Sequence, residues 1–466
     1  VNDSLTIPAN VVHGDPIAPV ILGVTSILLF AIIGRFVARR LGQPTVVGEL
    51  LMGILVGNIA WYLGVDLIVV LREGPRVFET VSQTLAGAPI DQVAVSLFGE
   101  STGNEIARII TGPQGGRVMQ VAQTVDVFSR YGVIFLLFMV GLETNLDEMR
   151  KVGADSIRVA ILGVLAPFGL GFAALAYLLP DMPLKSDMFI AATLGATSIG
   201  ITANVLREAN RSKSLEGHII LGAAVCDDIL GLIVLAVVSG IVVSGSVDIL
   251  EVLFITLMSA LFLIGAVKLG PLIVRMAANL MGRLDIIEAK MFTSYLFVMI
   301  LAWVANLVGL ATIIGAFAAG IVLSDSFFRE HETSKREFVG IRELIMPLEV
   351  ILLPIFFILM GIQVKIESFI SWEVLVVAGG LLVAAVAGKI VSGLGARSAA
   401  NRLLIGVGML PRGEVGLVFA AIGRTLGVID DAIFSAIVLM VVITTLIAPP
   451  LLKFLILWQE KRQARA

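Results

Sequence analysis

Two adjacent carboxylates, Asp227 and Asp228, stand in the middle of an apolar run that reads His218-Ile-Ile-Leu-Gly-Ala-Ala-Val-Cys-Asp-Asp-Ile-Leu-Gly-Leu. The run covers residues 215–241, long enough to cross about 30 Å of hydrocarbon, and the pair falls near its midpoint. Each carboxylate costs about 2.5–3.5 kcal/mol at that depth. Two side by side also repel, which strengthens the hold of at least one on a proton. Neighbouring positions on a helix point about 100° apart, so the two acids must face different partners. Folding alone gives no reason for such an expense, whereas binding and releasing a small cation or a proton does.

A third charge, Lys389, lies in Val386-Ala-Gly-Lys-Ile-Val-Ser, slightly to one side of the centre of the run 372–396. It is a candidate partner for Asp227, and simple mutual neutralisation of the two is the plain alternative. No second intramembrane lysine is left for Asp228. Burial disfavours a charged lysine while Asp227 favours it, so the two would titrate as a coupled pair. The surroundings of Lys389 do not make a phosphate loop, because Val383 stands where the first glycine is required and Ile390 where Ser or Thr is required. Arg412 and Glu414 follow Pro411 in Gly406-Val-Gly-Met-Leu-Pro-Arg-Gly-Glu-Val-Gly416, again mid-run. Thr193-Leu-Gly-Ala-Thr-Ser-Ile-Gly-Ile-Thr202 adds the neutral oxygens of Thr197 and Ser198. A carboxylate with hydroxyl and backbone oxygens suits a hard cation such as Na+, whereas imidazole and thiol donors suit transition metals.

The elements that must carry these groups are legible in the composition. The chain has 466 residues, 58% hydrophobic and 15% charged, with a mean hydropathy of +1.00. An ordinary soluble domain is about 45–50% apolar and about 25% charged. A net charge of −3 gives no basic footprint for nucleic acid. The single Cys226 excludes an internal disulfide, and His13, His218 and His331 are too scattered for a metal cluster. Cys226 reads as helix packing and His218 as an interfacial residue. No nucleophile–base or metal constellation supports an enzyme, and no cofactor is expected.

Apolar runs predict about thirteen spans, at 17–38, 45–63, 127–143, 156–179, 186–206, 215–241, 249–274, 288–308, 310–325, 344–363, 372–396, 402–424 and 431–456. Lys and Arg gather in alternate connections, among them Arg39, Arg40, Arg150, Lys151, Arg211, Arg275, Arg336, Arg397 and Lys461. That alternation predicts an N-terminus outside and a C-terminus in the cytoplasm. The last run stops close to Ala466, and no soluble regulatory domain is expected after it. Residues 64–126 form a long external segment that is too polar to span. Val77–Leu85 and Gly116–Phe128 within it read as short amphipathic helices at the interface.

Spans 1–6 and 8–13, joined by span 7, divide as two halves that enter the membrane from opposite sides. The fifth span of each half is odd: span 5 is rich in small and hydroxyl residues, and span 12 carries Pro411 where a helix interior would lose a hydrogen bond. Paired breaks at corresponding positions are the mark of an inverted-repeat transporter. Crossing half-helices would bring opposite dipole ends to the bilayer centre, where Arg412 and Glu414 can be tolerated.

At these residues the chain resembles the cation:proton antiporter superfamily, in its second monovalent-cation branch. The resemblance rests on Pro44-Thr-Val-Val-Gly-Glu-Leu-Leu-Met-Gly-Ile-Leu-Val-Gly57, Gly132-Val-Ile-Phe-Leu-Leu-Phe-Met-Val-Gly-Leu-Glu143, Ala196-Thr-Ser-Ile-Gly-Ile-Thr202 and the Asp227-Asp228 pair. Gly315-Ala-Phe-Ala-Ala-Gly320, Lys389 and Pro411-Arg-Gly-Glu-Val-Gly416 complete it. It implies an all-α polytopic membrane protein with inverted repeats, two crossing broken helices and a homodimeric assembly. Dimer-domain helices 1–3 would fall in 1–143, with the insertion 64–126, and helices 8–10 in 277–363. Core-domain helices 4–6 would fall in 144–241 and helices 11–13, with the short tail, in 364–466; 242–276 would be the linker helix.

By motif match, Asp228 would bind cation and proton in alternation, Asp227 would pair with Lys389, and Thr197 and Ser198 would lie at the crossing. An Asp-Asp pair resembles the electrogenic Na+(Li+)/H+ exchangers; potassium-efflux relatives tend to carry Gln-Asp and a cytosolic nucleotide-binding domain. The expected partners are therefore Na+ or Li+, protons, membrane lipid and a second copy of the chain, in a prokaryotic plasma (inner) membrane. An electroneutral K+/H+ exchanger, a sodium-coupled organic-anion symporter on a related fold and a gated cation channel are the alternatives. The 64–126 segment is longer than the family usually has.

Overall fold

The computed structural model describes residues 15, 17–143, 153–209, 211, 214–244, 249–280, 285–331, 339–397, 400–412 and 414–463. Among these the regular structure is entirely helical. Ten helices are long and apolar enough to cross a membrane: α1 (Ala18–Arg40), α2 (Thr45–Tyr62), α7 (Gly115–Glu143), α8 (Ala154–Leu178), α11 (Leu215–Ser244), α12 (Ile249–Leu280), α13 (Ile286–Leu307), α15 (Ile341–Ile362), α16 (Trp372–Ser392) and α19 (Asp431–Gln463). Three expected spans remain. One is the short, almost wholly buried α14 (Thr312–Val322). The other two are split, into α9 (Leu184–Thr193) with α10 (Ile199–Glu208), and α17 (Arg402–Gly408) with α18 (Glu414–Thr425). The chain is a multi-pass integral membrane protein with the expected fold class.

Local chemistry explains the boundaries. Asp285 caps α13 by accepting from the Ile287 N–H at 3.2 Å, and Asn401 caps α17 by accepting from the Leu404 N–H at 3.2 Å. The α17–α18 break sits at Pro411, which has no N–H and disfavours helical backbone at Leu410. The α9–α10 break covers Gly195, Thr197 and Ser198, whose freedom and hydroxyls compete with the helical ladder.

Contacts sort the helices into two groups. In one, α8 packs on α9, α11 and above all α16, which also meets α19; in the other, α7 and α15 pack with α2 and α14, and α1 lies on α2. The helix α12 touches α11 from one side and α13 and α14 from the other. Small residues set the closest approaches, as expected where lipid gives no hydrophobic push between helices. A Cβ at Gly388 of α16 would stand 2.5 Å from the Pro167 backbone of α8, and one at Gly34 of α1 would stand 2.5 Å from the Gly48 carbonyl of α2.

The segment between α2 and α7 departs from expectation in one way. Residues 116–128 do not lie at the interface as a separate helix; they are the first half of α7. No breaker interrupts the chain there, and Val121, Ala122, Val125 and Ser129 recur at helical spacing on its buried face. The remainder folds as α3 (Asp66–Glu73), α4 (Arg76–Leu85), α5 (Ile90–Phe98) and α6 (Glu100–Thr111). Of these, α3 is buried from Ile68 to Glu73.

Candidate functional site

The paired carboxylates stand on α11, unbroken through Asp227 and Asp228, and Lys389 reaches Asp227 from α16. Lys389 Nζ lies 3.2 Å from Asp227 Oδ2 and 3.3 Å from Oδ1, with both side chains wholly buried. Its third hydrogen bond runs to the Gly195 carbonyl at 2.5 Å, inside the α9–α10 break. The lysine is therefore shared between a carboxylate and a freed backbone carbonyl. Taking such an ion pair out of water is favourable only when extra hydrogen bonds satisfy its remaining donors. Gly163 of α8 lies beside the pair; a Cβ there would sit 3.5 Å from Asp227 Oδ1 and 3.6 Å from Lys389 Nζ, in ordinary van der Waals contact. Asp228 is the more open acid, 9% exposed against 0% for Asp227.

The two breaks cross and are stitched through the groups that each helix end leaves free. Ser198 N–H donates to the Pro411 carbonyl at 2.8 Å, and Thr197 Oγ1 donates to the Met409 carbonyl at 3.3 Å. Thr202 Oγ1 donates to the Gly408 carbonyl at 2.8 Å, and Thr445 Oγ1 of α19 donates to the Arg412 carbonyl. In the other direction Arg412, 1% exposed, donates from Nη1 to the Thr193 carbonyl at 3.3 Å and, at a longer 3.5 Å, to that of Ala196. The last carbonyls of α9 are thus covered by two cations, Lys389 and Arg412, where a helix C-terminus carries partial negative charge.

Of the residues singled out from the sequence, Asp227 and Lys389 meet directly, and Thr197, Ser198, Pro411 and Arg412 come together at the crossing. The Glu414 side chain and Gly413 lie outside the described residues. His218 is exposed, with Nδ1 2.9 Å from the Ser214 carbonyl, as an interfacial residue would be, and Cys226 is half-buried.

A second charged cluster escaped the sequence reading. At the end of the molecule where α3 lies, Arg72 and Glu73 meet Lys365, Glu367, Arg424 and Asp431. The available signal was an Arg-Glu pair ending the apolar stretch Leu67–Leu71, which is weak beside a charge at mid-span.

Comparison with known proteins agrees with this geometry. Residues 25–458 match the family described as sodium/hydrogen exchanger, transmembrane. The high-affinity Na+/H+ antiporter NhaS3 of Synechocystis sp. is 37% identical over 96% of this chain and 92% of its own. The Na+/H+-K+ antiporter GerN of Bacillus cereus is 33% identical over 76% of this chain and 88% of its own. Among solved structures, the sodium proton antiporter MjNhaP1 of Methanocaldococcus jannaschii superposes with a TM-score of 0.61. The match covers 95% of this chain and 99% of that one at 15% identity, a likeness of fold.

Proposed function

Because the chain belongs to the sodium/hydrogen exchanger family, one of transporters within the cation:proton antiporter superfamily, we propose that it exchanges Na+ or Li+ for protons by alternating access, with cation and proton competing for Asp228. The observation that carries this reading is the wholly buried Asp227–Lys389 pair beside a second, slightly open carboxylate at the crossing of two broken helices. A carboxylate at that depth holds either a proton or a cation, because leaving it bare is costly. Competition for one group is then itself the coupling, and no separate gate need count ions. Thr197 and Ser198 supply neutral oxygens toward the cation. Arg412 and Pro411 keep the crossing open by holding the helix ends in place.

Lys389 carries the second proton in this scheme. When Na+ sits at Asp228, the added positive charge works against the proton on Lys389 and leaves Asp227 ionised. Two protons then move against one Na+, and one net charge crosses per cycle. A membrane potential contributes about 2.3 kcal/mol per 100 mV to that cycle, and each pH unit adds about 1.36 kcal/mol per proton.

The moving core domain in this reading is spans 4–6 and 11–13, the group built around α8 and α16. The dimer domain is spans 1–3 and 8–10, the group around α7 and α15. Exposed apolar side chains on α1 (Leu22, Leu29, Ile32 and Phe36) and on α12 (Leu261, Ile264 and Leu272) supply a surface for a second copy and for lipid. In this reading the N-terminus lies outside and the C-terminus in the cytoplasm of a prokaryotic inner membrane, an orientation that the alternating basic connections support. The insertion face is then external. The GerN relative carries K+ in its name, which keeps an electroneutral K+/H+ exchanger as the second reading. Proteoliposome exchange with Na+, Li+ and K+ at several pH values, with the potential clamped by valinomycin, tests both. Na+- and Li+-driven proton flux that responds to the clamp supports the first, and K+-driven, clamp-insensitive flux the second.

A further inference from the structure

We propose that Arg72 and Glu73 of α3 latch the insertion face of the exchanger shut, so that releasing Lys365 and Arg424 from them is a step of the transport cycle. The inference rests on the alternating-access reading above and gives the 64–126 segment a role in it.

The latch is built from direct bonds between sequence-distant elements. Lys365 Nζ, in the connection between α15 and α16, donates to Glu73 Oε1 at 2.7 Å and Oε2 at 2.9 Å, and lies 2.7 Å from Asp431 Oδ2 at the start of α19. Arg424, near the end of α18, donates from Nε to Asp431 Oδ1 at 2.9 Å and from Nη2 to the Arg72 carbonyl at 2.9 Å. Arg72 donates from Nη2 to Asn58 Oδ1 of α2 at 2.8 Å and to Glu367 Oε2 at 2.5 Å, and its guanidinium stacks 4.2 Å over Trp61. Hence α2 and α3 stand on one side of the cluster and α18 and α19 on the other, with the 365–367 connection bonded to both: Ile366 N–H donates to Asn58 Oδ1 of α2 at 3.3 Å and Lys365 N–H to Ser435 Oγ of α19 at 3.2 Å. If spans 11–13 move against spans 1–3, the bridge that Lys365 makes between Glu73 and Asp431 and the Arg424–Arg72 contact must break or change partners.

The place of the cluster says what it controls. A cavity of about 450 Å³ opens beside it, with Arg424, Gln363, Asp126, Asn306 and Ser239 in its walls. Arg424 Nη1 and Ser239 Oγ are buried there without a hydrogen-bonding protein partner, so the walls can hold water. Ser239 lies about 16 Å along α11 from Asp228, at 1.5 Å per residue. The cavity wall thus reaches α11 at Ser239 and Val243 and includes neither Asp227 nor Asp228. Gly74, which follows Glu73 with φ 71°, lets the chain turn under Arg424; a Cβ there would stand 3.2 Å from Arg424 Nη1.

The experiment compares wild type with Glu73→Gln in proteoliposomes, measuring Na+ half-saturation separately on each face. A weakened latch shifts the population toward the state open at the insertion face. Half-saturation should therefore tighten there and weaken on the opposite face, each by about fivefold, and Glu73→Asp should restore both. A purely structural role would lower the maximal rate and leave both half-saturations unchanged; that result overturns the proposal. A second readout does not need transport. In a Cys226→Ser, Ser239→Cys background, Glu73→Gln should speed modification by a membrane-impermeant thiol reagent from the insertion face by about fivefold, and an unchanged rate refutes the latch. Should Glu73→Gln fail to fold, Glu367→Gln, at the exposed rim, removes the Arg72 contact and is expected to act in the same direction. A wild-type protein that exchanges neither Na+ nor K+ for protons would defeat the antiport reading, while the labelling result still decides the latch.

Discussion

The Asp227–Lys389 site and the cluster around α3 are both networks of paired charges, yet they are built on different terms. In the first, Lys389 and Asp227 are sealed from solvent, and Lys389 and Arg412 reach freed backbone carbonyls at Gly195 and Thr193. In the second, Lys365, Asp431 and Glu367 keep 16%, 28% and 42% of their side chains exposed and reach the buried Glu73, Arg424 and Arg72, which keep 8%, 3% and 2%. Deep charges gain most from partners that are fixed in place, because a broken pair leaves an uncompensated charge in a low-dielectric interior. A pair with one partly wet member loses less when it parts, because water can take up that member's contacts. The first arrangement suits a site that must keep its geometry through a cycle. The second suits contacts that open and close.

Substitutions can break that contrast. The largest effect is expected for Asp228→Asn, which should leave a folded protein with no exchange from either face; wild-type Na+-driven proton flux in this variant would end the competition scheme. Pro411→Ala comes next. It restores an N–H and lets α17 and α18 approach a continuous helix, pulling the Met409 and Pro411 carbonyls away from Thr197 and Ser198. Exchange should fall by about tenfold or more, with expression affected less, and near-normal flux would show that the break does not depend on the proline.

Lys389→Gln should have a narrower effect. It leaves Asp227 buried without its cation, a loss of about 3–5 kcal/mol for a buried pair, so the variant should melt earlier but still exchange Na+ for H+. What it should lose is the response to membrane potential. Retained electrogenic transport by the purified, reconstituted variant would reduce the lysine to a structural partner. The smallest effect belongs to Gly388→Ala, where the new methyl meets the Pro167 backbone. Overpacking of this kind costs about 1–3 kcal/mol, expected as a lower melting temperature with Na+ half-saturation moved equally on both faces. A face-dependent shift there would blur the distinction from the insertion-face cluster.

These differences also explain what could be read from the sequence. Charges at mid-span stand out because hydrocarbon tolerates them so poorly, which is why Asp227, Asp228, Lys389 and Arg412 were legible before any coordinates. The breaks were legible for a related reason: Pro411, and the glycine and hydroxyl residues around Thr197, are costly in a helix interior unless the helix ends there. The partners at the crossing were not, because Thr202 and Thr445 are ordinary residues whose value depends on which carbonyl they meet. Arg72, Glu73, Lys365 and Arg424 lie near membrane edges, where charge is commonplace. Only folding brings Glu73 and Lys365, distant in sequence, within 2.7 Å. The reading of 116–128 as an interfacial helix failed because exposed polar residues such as Arg117 and Gln120 masked the buried stripe that continues into α7.

Competition between Na+ and a proton at one carboxylate is the claim on which the rest stands, and the pH dependence of Na+ half-saturation in proteoliposomes measures it directly. As pH falls below the carboxylate's range, half-saturation should rise by up to about tenfold per unit for one competing proton, since each unit is worth about 1.36 kcal/mol. The maximal rate should be recovered at saturating Na+. A half-saturation that stays constant across pH while the maximal rate falls would mean that the proton and Na+ bind at separate places, contrary to the mechanism proposed for Asp228.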